Sequence, residues 1–108
     1  MLTIDKTTNT KSTCYKLDKI TEVKSILVCN KFVNWVIGEF DLYLKNESEE
    51  LKVYFPNGWF CVRSFIKGDQ FYFVEIKIEG KSKIACEILM IRLIRILDQV
   101  VNLSTKKN

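Results

Sequence analysis

The sequence predicts a small, mainly β domain in which five strands curl into a closed barrel and a C-terminal amphipathic α-helix follows. Three observations carry that prediction. Residues 65–90, F-I-K-G-D-Q-F-Y-F-V-E-I-K-I-E-G-K-S-K-I-A-C-E-I-L-M, read as a Lys-Gly-Asp turn, a strand of alternating large apolar side chains, a tight Glu-Gly-Lys turn and a second strand. Residues 35–44 and 51–55 alternate with period two on either side of the polar K-N-E-S-E-E turn, which reads as a hairpin. From about residue 88 the apolar spacing changes to three and four, the period of a helix.

A chain of 108 residues, 47% of them hydrophobic, fits one domain able to bury a core. One proline and four glycines leave little room for linkers. Residues 1–16 read as a flexible polar tail, 17–103 as the folded domain and 104–108 as a second polar tail. No stretch approaches the roughly 18 uninterrupted apolar residues of a membrane span. The expectation is an intracellular chain with no membrane contact.

Composition narrows the chemistry. There is no histidine, which removes the Ser-His, Cys-His and His-Glu-x-x-His arrangements. Cys14, Cys29, Cys61 and Cys86 form no C-x-x-C pair, and Cys29 and Cys86 sit in apolar runs where a buried free thiol is the usual outcome. No glycine-rich phosphate loop is present. The chain therefore reads as non-catalytic, with no metal and no cofactor.

The net charge of +4 is unevenly spread. Residues 1–31 hold six lysines against three acids, and residues 81–108 hold six basic residues against Glu87 and Asp98. Residues 32–50 hold one lysine against Glu39, Asp41, Glu47, Glu49 and Glu50. Basic ends suit a polyanionic partner, although an excess of this size is common among soluble domains.

Taken in order, residues 17–28 read as a long first strand ending in an apolar run, and residues 29–34 as a loop. Strand two spans 35–44, with Gly38 marking a bulge or bend of the kind that closes a small barrel. Strand three, 51–55, places Leu51, Val53 and Phe55 opposite Lys52 and Tyr54. Residues 59–66 read as a short helix or turn plugging one barrel end, with Trp59 and Phe60 closing it or, less often for such residues, standing out as a partner-binding knob. Strand four, 70–78, puts Phe71, Phe73 and Glu75 on one side and Tyr72, Val74, Ile76 and Ile78 on the other. Strand five follows at about 83–89, and the helix covers about 89–103. The helix's apolar face is wider than the roughly 100° stripe needed to dock on its own domain. Either the whole face docks deeply in the chain's own core, or part of it meets a partner helix, with Leu89, Arg92, Leu93, Ile96, Leu97 and Val100 as the candidate contacts.

Three strands, a plug, two strands and a terminal helix form a pattern that resembles the OB-fold. Phe40-Asp41-Leu42, Lys67-Gly68-Asp69, Glu79-Gly80-Lys81 and the helix from Arg92 to Val101 carry the likeness. At this size the chain resembles the small OB subunits of replication protein A and of telomere-capping complexes. The resemblance implies a five-stranded Greek-key barrel. It further implies a nuclear scaffold subunit that assembles through its C-terminal helix with larger OB-fold proteins in a single-stranded-DNA-binding complex of replication, repair or telomere maintenance.

The alternative is an autonomous single-strand binder. OB proteins bind across strands two and three, flanked by the loops between strands one and two and between four and five. Those places hold Lys31, Phe32 and Trp35, Tyr43 and Tyr54, and Lys77, Lys81 and Lys83. Aromatic rings stack bases and lysines neutralise phosphates. Against this, the aromatics equally cap a barrel or form a cross-strand pair, and Glu47, Glu49 and Glu50 lie beside the same surface.

Overall fold

The computed structural model describes residues 14–46 and 50–105. Residues 1–13 of the expected N-terminal tail, Glu47 and Glu49 of the acidic stretch and residues 106–108 of the C-terminal tail lie outside the described residues. The elements run β1 (Tyr15–Val23), α1 (Ile26–Glu39), β2 (Leu44–Asn46), β3 (Leu51–Phe55), β4 (Gly58–Lys67), β5 (Phe71–Gly80) and α2 (Lys83–Thr105). The strands form one sheet in the order β1-β5-β4-β3-β2, and every neighbouring pair is antiparallel. The expected five-stranded sheet and C-terminal helix are present. The sheet is open, with β1 and β2 at its two edges, so no barrel closure is seen among the described residues.

Three segments differ from the sequence expectation. Residues 26–39 are helix rather than the end of strand one, a loop and the start of strand two. Val28, Cys29, Phe32 and Val36 recur at spacings of one, three and four and are all buried on one helical face. Residues 58–67 are a ten-residue strand at the centre of the sheet, not a plug. Residues 83–89 open α2 rather than forming a fifth strand. Ser82 explains that start: its hydroxyl oxygen accepts the Ala85 N–H at 3.1 Å, and the Cys86 N–H donates to the Ser82 carbonyl at 3.0 Å. This is an N-cap, and Gly80-Lys81-Ser82 is its approach rather than a hairpin turn.

Both helices pack on one face of the sheet. Val53 of β3, Phe60 and Val62 of β4, and Val74, Ile76 and Ile78 of β5 meet Val28, Phe32 and Val36 of α1 and Leu93, Leu97 and Val100 of α2 in one cluster. Two turns set the central hairpins. Pro56 and Asn57, the latter with φ 69°, occupy the second and third places of a turn between β3 and β4, as a type II turn requires. Gly58, paired with Gly80, then meets the Glu79 carbonyl so closely that a Cβ has no room.

Candidate functional site

Strand register divides every side chain of the sheet between two faces. Leu51↔Val62↔Ile76 and Val53↔Phe60↔Ile78 are cross-strand rows on the face the helices cover. The intervening rows point away from the helices. Reading from β3 to β1, Tyr54↔Trp59↔Glu79↔Lys16 is followed by Lys52↔Cys61↔Lys77↔Asp18, and Arg63↔Glu75↔Ile20 by Phe65↔Phe73↔Glu22. No described element covers this second face. It is the most distinctive surface of the molecule.

Its rings and cations are interleaved. The Lys52 ammonium sits 4.2 Å from the Trp59 ring centroid and 5.7 Å from that of Tyr54. The Arg63 guanidinium lies 4.9 Å from the Phe65 centroid, and Lys67 stands 5.9 Å from Phe73. Phe65 and Phe73 stack with centroids 5.3 Å apart and planes 18° from parallel. Two aromatic platforms result. Tyr54 and Trp59 form one, Phe65 and Phe73 the other, about 20 Å away along β4 at roughly 3.3 Å per residue.

Two residues, Glu75 and Cys61, are buried between the platforms. Glu75 is 7% exposed; Arg63 Nε donates to its Oε1 at 2.6 Å and Lys77 Nζ lies 4.0 Å from its Oε2. The carboxylate is thus matched by two cations, which prevents a bare negative charge at the centre of the face. Cys61 is 4% exposed, and burial, reinforced by the Glu50 carboxylate, pushes its thiol up to about 12. It stays neutral and unreactive at ordinary pH.

The residues expected to bind nucleic acid separate into groups. Tyr54 and Lys77 lie on the open face. Lys31, Phe32 and Trp35 are on α1, on the opposite side of the sheet, where Phe32 is fully buried in the core and Lys31 and Trp35 are exposed. Tyr43 stands in the turn after α1, edge-on to Phe40. Lys81 and Lys83 flank the start of α2. The structure does not bring these eight together.

The helix contacts expected to seat a partner are placed inward instead. Leu93, Ile96, Leu97 and Val100 are buried in the chain's own core and Leu89 packs partly against it. Arg92 is exposed and donates to Glu39 at 3.0 Å, with its guanidinium 4.5 Å from the Phe40 centroid. The large apolar side chains that α2 exposes are Ile84, Ile88 and Ile91, with Leu103 near its end, and sequence reasoning missed them. It also missed Lys52, Trp59, Arg63, Phe65 and Phe73 as one surface. The run W-F-C-V-R-S-F-I carries apolar residues on both faces, so its alternation is hidden and only Arg63 hints at the open side.

No family model matches this chain, and no curated protein matches it. Among the described residues, no group of three or more Cys, Asp or Glu side chains is arranged to hold a metal ion. No described helix is long and apolar enough to cross a membrane.

Proposed function

We propose that this chain is a non-catalytic binding module that takes single-stranded nucleic acid across its open sheet face. The supporting observation is the alternation of rings and cations along β3 and β4: Tyr54, Trp59 and Phe65 with Lys52, Arg63 and Lys67. Stacking a base on an aromatic ring contributes about 1–3 kcal/mol, whereas an exposed cation–π contact is worth about 0.5–1 kcal/mol. A base therefore displaces Lys52 from Trp59, and the freed ammonium is left beside the backbone phosphate. Asp18, Glu22 and Glu79 lie towards the β1 edge of the same face and repel phosphates. The favoured path follows β3 and β4.

The test uses a Trp35→Phe variant, so that Trp59 is the remaining tryptophan of the two. Titration with oligothymidylate or oligouridylate should quench its fluorescence, with an affinity that falls as salt rises. Trp59→Ala should weaken binding about tenfold or more, measured by anisotropy of a labelled oligonucleotide. Absence of binding at low salt would sink the proposal.

The wider reading, a nuclear subunit that assembles with larger proteins through α2 in a replication, repair or telomere complex, draws on one observation of its own. Ile84, Ile88 and Ile91 make an exposed apolar stripe on that helix. Changing two of them to glutamate and assaying co-purification with partners from source cells tests it. A partner complex indifferent to those changes defeats assembly through this stripe.

A further inference from the structure

The helix-covered side carries a second recognition feature, separate from the open sheet face. Phe40, Tyr43, Phe55, Pro56 and Leu89 line a largely apolar groove of about 390 Å³, with Arg92 among its wall residues. Directly beside it, Leu42 stands in the turn between α1 and β2 with 94% of its surface exposed. Leu42 does not line the groove, but its neighbour Tyr43 does. A protruding leucine and an apolar hollow thus share one patch. Ile88 belongs to the same wall, and Ile84 and Ile91 extend the exposed apolar surface along α2.

We propose that this patch pairs with the same patch on a second copy of the chain, each Leu42 entering the other copy's groove. A two-fold interface needs a surface complementary to itself, and a knob adjoining a hole meets that condition. Charge agrees with shape. Asp41 is exposed next to Leu42 and makes no ion pair among the described residues, while Arg92 stands in the groove wall. Seating Leu42 brings Asp41 of one copy to Arg92 of the other. The existing Arg92–Glu39 bond is half exposed on both sides, so it offers little resistance to sharing the guanidinium. The docked face lies on the helix side, which leaves both open sheet faces clear. The pairing therefore stands or falls independently of nucleic-acid binding.

Sedimentation equilibrium of the full chain at rising concentration tests this. The expected result is a species of twice the 12.7 kDa chain mass. Leu42→Asp should raise the dimer dissociation constant at least tenfold without altering the circular dichroism spectrum, because the side chain touches little of its own fold. Asp41→Arg and Arg92→Glu should each weaken the dimer, and the double variant should recover most of the lost affinity. A monomer at every concentration overturns the proposal. So does a dimer that is indifferent to Leu42→Asp, or a double variant no tighter than the two singles.

Discussion

The two faces of one sheet differ in almost every physical respect, though they share the same strands. On the helix-covered face Val53, Phe60, Val62, Val74, Ile76 and Ile78 are almost wholly inaccessible, sealed by apolar stripes from both helices. On the open face, Cys61 and Glu75 reach comparable burial with no helix above them, and Glu75 carries a charge. Their shelter comes from the sheet's own long side chains, since Lys52, Arg63 and Lys77 lay their stems across neighbouring positions. The lesson is a division of labour: one face supplies stability, and the other holds rings and charges where a ligand can reach them.

The largest effect should come from comparing two phenylalanines of the same strand. Phe60 points into the core, with its ring 5.0 Å from Phe40, and Phe65 points to the open face. Phe60→Ala removes a fully buried ring and should cost about 3–5 kcal/mol. Phe65→Ala removes a stacked pair on a half-exposed surface and should cost about 0.5–1.5 kcal/mol beyond the area it buries. Urea denaturation of the two variants measures both. Similar costs would mean that something covers the open face in solution.

That same contrast explains what could be read from the sequence. Strand β3 was legible because its faces differ chemically, Leu51, Val53 and Phe55 against Lys52 and Tyr54. Strand β5 was legible for the same reason, with Val74, Ile76 and Ile78 opposite Glu75 and Lys77. Strand β4 was not, because Trp59, Cys61 and Phe65 are as apolar as the core residues between them, so the period of two vanished. Helix α1 was hidden differently. The run I-L-V-C followed by a valine-rich segment has β-favouring composition, and only the positions of Val28, Phe32 and Val36 reveal the helical period. One member of the candidate site, Tyr54, came from reading a strand face correctly, whereas Lys77 was expected at a flanking loop and lies within β5. The others became visible only once the register set β4 beside β3 and β5.

A middle-sized effect should come from the ion pair under the open face. Arg63→Ala leaves the Glu75 carboxylate buried, with Lys77 at 4.0 Å as its nearest cation. The expected loss is about 1–3 kcal/mol, the cost of a buried acceptor deprived of its partner. The double variant Arg63→Ala/Glu75→Gln should be more stable than Arg63→Ala, because the charge disappears with its partner. Thermal melts of the three proteins measure the difference. If Arg63→Ala melts with the parent, Glu75 is solvated and the open face has no buried charge to maintain.

The smallest effect at neutral pH concerns Cys61, and it grows only in alkali. An ordinary thiol loses its proton near 9, whereas in the folded chain burial and the Glu50 carboxylate push Cys61 up to about 12. Between those values the unfolded state releases a proton that the folded state keeps. The folded state then binds more protons, so stability falls as pH rises through that window. Below pH 9 both states are protonated and the contribution is constant. Cys61→Ala should therefore match the parent's pH dependence up to about 9 and lose less stability than the parent between 9 and 12. Because tyrosines and lysines titrate in both proteins, the difference between the two curves isolates this thiol. Parallel curves over the whole range would mean that water reaches Cys61 and that the shelter of the open face does not extend to it.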